Sequence, residues 1–480
     1  MTYGLKIDNK ILTIDPDGSN VEIARKMAKD VVDAIIDHFS TLNTRGVYRE
    51  MKIKTQMPPS LDWENTLEYL MEIISGSMQV GHPRFFGHMD SGPLFVSVLS
   101  DWVVSAVNQN MLNPELSPLA SKIEESLIQW LVGTVGFSQG DGALVSGGTM
   151  SNLTAVLLAL HRISKGHFRQ DGVWSLPGKP VIFASDQAHY SVSKVAASTG
   201  LGEQSIVKIP TDSQFRMETS ALEQAIHNTE SEGKLPLMVV ATAGTTSTGS
   251  VDPISEIARI CQAHNLWLHV DAAHGGGALF SRRTRDILSG IERADSVTID
   301  PHKWLMQPKS MGVILTSHPG MLESLFGHEA PYLHGNVSGI VPDWGNRGLQ
   351  GSRRFDALRL WITKLYLGED GLSKLVEKGF ENVSKWAEML RENEKFEIPH
   401  QPDLNILCFR YRPTGVSEKE VDSLNDMIQR ELMKSGKGYI SSTLLKDQRW
   451  LRSVFLNPTI TDNDMKVVRE KIEALISAVK

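Results

Sequence analysis

The sequence is poor in features that mark several classes of protein. Its 480 residues include only two cysteines, Cys261 and Cys408, which lie far apart in apolar surroundings. A disulfide framework or a cysteine metal site is therefore disfavoured, and a reducing compartment is expected. The net charge of −7 provides no basic footprint for nucleic acid. No run of 18 apolar residues and no charged-then-apolar leader occurs, which predicts a cytoplasmic protein without a membrane partner.

What is present is the composition of a large globular protein, with 41% hydrophobic and 22% charged residues. The length suggests about three structural units. We predict a helical segment over 1–80, a large α/β domain over 81–365 and a small α+β domain over 366–480. In the first segment, Asn20–Leu42 and Trp63–Ile74 have apolar residues at helical spacing. Amphipathic helices of this kind need a surface to cover, either on the same chain or on a partner subunit.

The central region alternates strand-like apolar runs with helical stretches. This alternation predicts βα units and a largely parallel sheet with helices on both faces. The predicted strands are Gly142–Val145, Pro180–Ala184, Leu237–Ala241, Leu266–Asp271, Ser296–Asp300 and Gly312–Leu315. In the last region, helices are predicted at Leu372–Glu392 and Glu418–Ser435, and strand-like runs at Asn405–Tyr411 and Trp450–Leu456.

The stretch from Leu266 to Trp304 contains the most informative residues. Asp271 ends one strand-like run, and His302 and Lys303 follow the next. Ligands of an α/β sheet lie at the carboxyl ends of its strands. An aspartate and a lysine there suit pyridoxal phosphate, whose ring nitrogen pairs with a carboxylate and whose aldehyde reacts with an amine. A buried ion pair at a strand end is the alternative.

Three other strand ends carry small or polar residues. Ser146–Asn152 is a glycine-rich turn entering a helix, suited to phosphate but also typical of an ordinary helix cap. His189 follows the next strand, where it could stack on a cofactor ring or simply bond to backbone. Ala241–Gly249 ends in hydroxyls and glycine, which could form a ligand-binding floor or an ordinary loop.

With these motifs in this order, the chain resembles the pyridoxal-phosphate-dependent group II decarboxylases. That family includes the aromatic-amino-acid, glutamate, cysteine-sulfinate and diaminobutyrate enzymes. The resemblance extends from His82–Phe86 to Trp450–Arg452, and the blocks HVDAAHGG and DPHKW are its most specific parts. It implies a fold of type I, the aspartate-aminotransferase-like α/β fold of pyridoxal-phosphate-dependent transferases.

The resemblance also implies roles for individual residues around the cofactor ring. Lys303 would be the Schiff-base lysine and Asp271 the partner of the pyridine nitrogen. Ala273 would pack beneath the ring, and His189 would stack above it and take part in catalysis.

Four further residues would contact the rest of the cofactor. Gly148 and Thr149 would hold the phosphate, helped by His302. Thr246 would lie close to the oxygen side of the ring.

Two matched residues bear on the outcome of the reaction. Tyr332 aligns with the tyrosine of a mobile catalytic loop that protonates the α-carbon, although it could be an ordinary loop aromatic. Arg452 aligns with an arginine that pairs with the substrate carboxylate, although it could pair with a carboxylate of its own chain. A guanidinium suits bidentate binding of such a group.

The substrate is predicted from the segment 108–118, which in this family reaches the active site of the partner subunit. Here the segment carries amides, including Asn110, rather than the aromatic residues of the aromatic-substrate enzymes. Buried amides without partners are costly, so we expect a short polar amino acid, acidic or diamino, with His88 tuning the choice. The resemblance thus implies a homodimer whose active sites lie at the subunit interface.

Three functions remain open on the sequence. The first is decarboxylation of an L-α-amino acid to a primary amine, with an aromatic substrate as an alternative. The second is a lyase or aldehyde-forming reaction on the same scaffold, against which Tyr332 argues. The third, a non-catalytic protein of this fold, is disfavoured because the matched positions are intact.

Overall fold

The computed structural model describes residues 14, 18–48, 60–328 and 342–478. Its described residues form two compact units. Those within Met1–Phe86, Asp426–Ile440 and Thr459–Lys480 belong to unit 1, and those within Gly87–Asn425 and Ser441–Pro458 belong to unit 2. Each unit combines segments that are distant in sequence. The predicted division at residues 80 and 365 does not coincide with the boundaries of these two units and stays a prediction.

The regular elements of the described residues are as follows. The strands are β1 (Phe85–Phe86), β2 (Asp141–Val145), β3 (Pro180–Ser185), β4 (Ile206–Ile209), β5 (Leu235–Thr242), β6 (Trp267–Asp271), β7 (Ser296–Ile299), β8 (Gly312–Thr316), β9 (Phe396–Glu397), β10 (Ile406–Tyr411), β11 (Tyr439–Leu445) and β12 (Gln448–Val454). The α-helices are α1 (Val21–Ser40), α2 (Trp63–Gly76), α3 (Phe95–Val107), α4 (Pro118–Val135), α5 (Gly148–Ile163), α6 (Phe168–Asp171), α7 (Ser191–Ser198), α8 (Thr219–Ser231), α9 (Ile254–His264), α10 (Met321–Phe326), α11 (Ala357–Arg391), α12 (Glu418–Lys434) and α13 (Asp462–Ser477).

Unit 2 is built around a seven-stranded sheet with the order β2-β8-β7-β6-β5-β3-β4. Neighbouring strands from β7 to β4 are parallel, whereas β8 is antiparallel to both β7 and β2. Parallel strands buried on both faces carry nearly continuous apolar sequences. This explains why the central strands could be recognised from their apolar runs.

Helices cover both faces of this sheet. Side chains alternate between the two faces along a strand, and in β3 the alternation divides the core. Val181 and Phe183 belong to one buried apolar cluster, which includes residues of α4, α8 and α9. Ile182 and Ala184 belong to another, which includes residues of α5 and α7. The predicted layer arrangement, with helices on both faces of a largely parallel sheet, is therefore confirmed.

The remaining strands, apart from β1, lie in the last 90 residues of the chain. In unit 2, residues 441–445 pair antiparallel with β12, which pairs with β10, and β10 pairs with β9. In unit 1, β1 pairs in parallel with Tyr439 and Ile440. Both C-terminal strand-like runs are confirmed as β10 and β12.

The predicted helices are also found, with some changes of boundary. The segment predicted at Leu372–Glu392 is the second part of α11, which is interrupted at Gly368 by a positive φ of 66°. The strand β4 was not predicted, because its four residues, IVKI, are mostly only half-buried or exposed. Among the described residues, no helix combines the length and apolar character needed to cross a membrane.

Candidate active site

Loops at the carboxyl ends of the parallel strands enclose one cavity of about 320 Å³ in unit 2. Its volume lies within the usual range of small-molecule sites, ~300–1,000 Å³. It contains every residue that the sequence assigned to the cofactor. These are Gly148, Thr149, His189, Thr246, Asp271, Ala273, His302 and Lys303.

The glycine-rich turn between β2 and α5 lies against the wall of this cavity. Gly147 has a φ of 143°, and α5 begins at Gly148. A Cβ at Gly148 would lie 3.0 Å from Oδ2 of Asp300 and 3.2 Å from Cβ of Ala273. Glycine thus permits close packing of the turn, leaving the first N–H groups of α5 at the end of the helix that favours anions.

Asp271 ends β6 and is held by two hydrogen bonds. Its Oδ1 accepts from the backbone N–H of Ala273 at 3.1 Å, and its Oδ2 accepts from Nδ2 of Asn152 at 2.8 Å. The residue is only 6% exposed. Two donors, one on each oxygen, fix the carboxylate in one orientation.

Lys303 follows β7 in a tight turn closed by its own backbone N–H, which donates to the carbonyl of Asp300 at 2.9 Å. Its Nζ lies 3.4 Å from Oδ2 of Asp300. Burial raises the pKa of Asp300, and the nearby Lys303 and His302 oppose that shift. His302 donates from Nδ1 to the carbonyl of Met311 at 2.6 Å, which fixes its ring beside the glycine turn.

His189 lies after β3, and its ring is held by Ser191. Nδ1 of His189 is 2.9 Å from Oγ of Ser191 and accepts from the backbone N–H of the same residue at 3.3 Å. Burial lowers the pKa of His189, partly opposed by the negative charge of Asp271. The ring is therefore neutral at pH 7.

The residues assigned to the substrate are not among those that line the cavity. Arg452 and His88 nevertheless meet at one hydroxyl, since Oγ of Ser441 accepts from Nη1 of Arg452 at 3.1 Å and from the backbone N–H of His88 at 3.4 Å. Met89, next to His88, does line the cavity. Asn110 instead donates to Oγ of Ser352 at 3.1 Å. Tyr332 lies outside the described residues.

Several residues that line the cavity had no assigned role in the sequence analysis, among them Asn152, His274 and Asp300. Each of these three lies within one of the sequence motifs described above. The only sign of its importance in the sequence was that it is a polar residue close to one with an assigned role. His274 donates from Nε2 to Oδ1 of Asn405 at 2.7 Å, and burial lowers its pKa to about 3. Their roles depend on contacts with distant segments, which the motifs do not contain.

The chain is similar to known proteins over most of its length. A family model described as "Pyridoxal-dependent decarboxylase conserved domain" matches residues 48–412. The chain is 32% identical to L-2,4-diaminobutyrate decarboxylase of Acinetobacter baumannii, over 91% of this chain and 89% of that protein. It is 30% identical to aromatic-L-amino-acid decarboxylase of Bacillus atrophaeus, over 96% and 97%. The crystal structure of mouse CSAD superposes with a TM-score of 0.90 at 28% identity, covering 95% of this chain and 99% of that one.

The chain belongs to the pyridoxal-dependent decarboxylases. It is a carboxy-lyase whose cofactor is pyridoxal phosphate, and its large α/β domain has the type I fold of such enzymes. The relatives are named for diamino and aromatic substrates alike, so the family does not determine the amino acid.

The residues present in the cavity fit this cofactor. A carboxylate, Asp271, and an amine, Lys303, are available for the two reactive ends of its ring. Ala273 provides a small side chain suited to a flat ring. The glycine turn at Gly148 is a cradle that a Cβ would fill, and backbone N–H groups at a helix start suit a phosphate.

Proposed function

We propose that this enzyme removes the α-carboxyl group of an L-α-amino acid as CO2 and releases the primary amine. The proposal is carried by the presence of Asp271 and Lys303 in one buried cavity beside a glycine turn. Lys303 binds the cofactor covalently, and Asp271 pairs with its ring nitrogen. When bound, the cofactor accepts the electron pair left by the departing carboxyl group.

The other cavity residues orient the cofactor in this proposal. His189 covers one face of the ring and Ala273 the other. Gly148, Thr149 and His302 hold the phosphate, since they surround the start of α5. Thr246, whose side chain is exposed in the cavity wall, lies near the oxygen side of the ring.

Arg452 is proposed to bind a carboxylate of the substrate. It is 4% exposed, and within the described residues its Nε and Nη2 have no hydrogen-bond partner. Burial lowers the pKa of Arg452 to about 10, so it is still charged at pH 7. A buried cation without an anion is costly, and a substrate carboxylate would supply that anion.

The preferred substrate is proposed to be a short polar amino acid, acidic or diamino. Supporting this, His88 lies close to Arg452, and partial burial, Arg452 and Lys309 all lower its pKa. A neutral imidazole next to a guanidinium offers hydrogen bonds to a substrate side chain and does not form an apolar pocket. An aromatic ring there would leave Nε and Nη2 of Arg452 unpaired.

A panel of amino acids tests this proposal. We expect amine and CO2 in equal amounts from an acidic or diamino member such as cysteine sulfinate or diaminobutyrate. Arg452→Met should lower kcat/KM by roughly a hundredfold or more, because it removes a buried charge partner of the substrate. Arg449→Met, on the same strand, is the matched control and should change kcat/KM little. Preference for an aromatic amino acid would refute the polar-substrate proposal while leaving decarboxylation intact.

Tyr332 is proposed to donate the proton that completes the amine. A phenol brought close to the α-carbon can act as a general acid. Without that proton, the reacting carbon is exposed to oxygen, which favours aldehyde over amine. Tyr332 lies outside the described residues, so its role is supported here by its sequence match alone.

The enzyme is also proposed to act as a homodimer with active sites at the interface. On α3, Phe95, Leu99, Val103 and Val107 are spaced by four residues and are each 40–49% exposed. Residues four apart share one helix face, and exposed apolar patches mark interaction surfaces. In unit 1, α1 is amphipathic yet has no buried residue. A second copy would cover such surfaces, and Asn110 follows α3 closely enough to contribute to the neighbouring site.

Sedimentation equilibrium should give twice the mass of one chain. The double variant Leu99→Glu, Val103→Glu should give monomers with little activity, because it places charges in the proposed interface. Trp174→Glu changes another strongly exposed apolar residue and should remain dimeric. Mixed dimers of a Lys303→Ala chain and an Asn110→Ala chain should recover part of the activity. Failure of confirmed mixed dimers to do so would mean that each site is built from one chain.

A cytoplasmic location stays a prediction. It is supported by the two cysteines, Cys261 and Cys408, which are both buried and unpaired. Free buried thiols are usual in proteins of reducing compartments.

A further inference from the structure

A buried hydrogen-bond network joins Asp271 to His189 through Asn152, at the start of α5. Nδ2 of Asn152 donates to Oδ2 of Asp271 at 2.8 Å and to Oγ of Ser191 at 3.0 Å. Oγ of Ser191 lies 2.9 Å from Nδ1 of His189. Asn152 is 4% exposed and Ser191 is fully buried, so water does not compete for these contacts.

The orientation of the Asn152 amide follows from its neighbours. An ionised carboxylate only accepts hydrogen bonds, so the group facing Asp271 must be the NH2. On the opposite side, Oδ1 of Asn152 accepts from Oγ1 of Thr298 at 3.0 Å and lies 3.0 Å from Nε2 of His269. A flipped amide would bring two acceptors together at Asp271.

The far end of the network fixes the hydrogens of His269. The indole N–H of Trp267 can only donate, and it donates to Oγ of Ser296 at 2.8 Å. Oδ1 of Asn152 only accepts, so Nε2 of His269 carries the hydrogen that this oxygen receives. Burial lowers the pKa of His269 to about 4, so the ring is neutral and its Nδ1 accepts from the Ser296 hydroxyl, also at 2.8 Å.

The same logic determines the tautomer of His189. Both hydrogens of the Asn152 amide are used, one for Asp271 and one for Ser191. Since Oγ of Ser191 accepts one of them, its own hydrogen is free to go to Nδ1 of His189. The backbone N–H of Ser191 also points to Nδ1, at 3.3 Å. Nδ1 is thus an acceptor, and the neutral ring carries its hydrogen on Nε2.

We propose that Asn152 is a positioning residue that fixes the orientation of the Asp271 carboxylate and, through Ser191, sets His189 as the Nε2–H tautomer. The proposal rests on the contacts proposed above between these two residues and the cofactor. It holds the carboxylate of Asp271 in one position for the ring nitrogen. It also makes His189 a hydrogen-bond donor at Nε2 and not a base there, so that any group meeting this nitrogen must be an acceptor.

Three variants separate the parts of this network. Asn152→Asp preserves size and the contacts with His269 and Thr298, but presents an acceptor to Asp271 and to Ser191. Ser191→Ala removes the link to His189 while Asn152 still holds Asp271. Thr154→Val is the control, because Thr154 is buried two residues further along α5 and donates only to the carbonyl of Met150.

The first measurement is made on cofactor-free protein. Nitrogen-15 NMR of histidine-labelled protein, with His189 assigned by its loss in His189→Gln, should find wild-type His189 protonated on Nε2 and bare on Nδ1. Ser191→Ala should give a mixture of tautomers. Asn152→Asp should shift the population towards the Nδ1–H form, because the Ser191 hydroxyl turns to the new carboxylate. Thr154→Val should match wild type.

The second measurement is the dissociation constant of pyridoxal phosphate. Asn152→Asp should raise it roughly tenfold or more, as loss of a supporting partner commonly does, because two adjacent carboxylates must share a proton. Ser191→Ala should change it far less. A wild-type His189 protonated on Nδ1, or an Asn152→Asp variant with wild-type tautomer and affinity, would overturn the proposal.

The second variant keeps the proposal testable if the first does not fold. If Asn152→Asp fails to give a cooperative thermal unfolding transition, Ser191→Ala alone tests the tautomer, and its retained affinity tests the separation of the two roles. The NMR result is independent of turnover. A wrong assignment of Lys303 or of the substrate would therefore leave it unchanged.

Discussion

Lys303→Ala should abolish amine formation, with a loss of roughly a thousandfold or more, as expected when a group in covalent chemistry is removed. The physical reason is that, among the described residues that line the cavity, only Lys303 carries an amine. Lys303 lines the cavity, and its Nζ lies 3.4 Å from Oδ2 of Asp300. The methyl side chain of an alanine at this position cannot bind the cofactor covalently. The protein should still bind pyridoxal phosphate, more weakly, through the glycine turn and Asp271.

Borohydride reduction tests this assignment without turnover. In the wild type, reduction followed by peptide mapping should place the phosphopyridoxyl group on Lys303. Lys309→Ala is the matched control, since Lys309 lies six residues further on and is about half exposed. That variant should keep the label on Lys303. A reduced adduct on any other lysine of the wild-type enzyme would show that the site is assigned wrongly.

Asp271→Asn should lower kcat by roughly a hundred- to a thousandfold, the range seen when one electrostatic contact to the reacting group is lost. The amide has nearly the size of the carboxylate, but it has no charge to keep the ring nitrogen of the cofactor protonated. It would also bring an NH2 or a carbonyl against Asn152, whose Nδ2 lies 2.8 Å from Oδ2. Cofactor binding should weaken as well, and this is measured by dialysis.

The control for Asp271→Asn is another buried carboxylate of unit 2. Asp252 accepts from the backbone N–H groups of Thr242 at 2.7 Å and Met217 at 2.8 Å and does not line the cavity. Asp252→Asn should lower the melting temperature while keeping most of kcat. If Asp271→Asn instead worked at nearly the wild-type rate, the electrostatic role given to Asp271 would be wrong.

The four substitutions, at Lys303, Asp271, Asn152 and Arg452, test different parts of the proposed site. The Lys303 test concerns where the cofactor is attached, and the Asp271 test concerns the group proposed to pair with its ring nitrogen. The Asn152 test concerns how Asp271 is positioned, and the Arg452 test concerns which molecule is bound. A failure at Arg452 would change the substrate and leave the first three unaffected.

The sequence by itself determined six of the seven strands of the large sheet and the polar residues at their ends. Both are local properties: an apolar run such as Trp267–Asp271 forms a buried strand, and the residue that ends it, Asp271, lies at the edge of the sheet. The match of five such motifs in one order then identified the family. The short strand Ile206–Ile209 was not predicted, because only one of its four residues is buried.

Only the tertiary structure decided which residues act together. Asn152 and Asp271 are 119 positions apart, yet share a hydrogen bond. Their contact depends on the packing of α5 against the sheet, which local propensity does not specify. The same holds for the insertion of antiparallel β8 between β2 and β7. Pairings between distant segments arise from the free energy of burying whole faces, and this is why motifs placed the reacting groups but not the residues that support them.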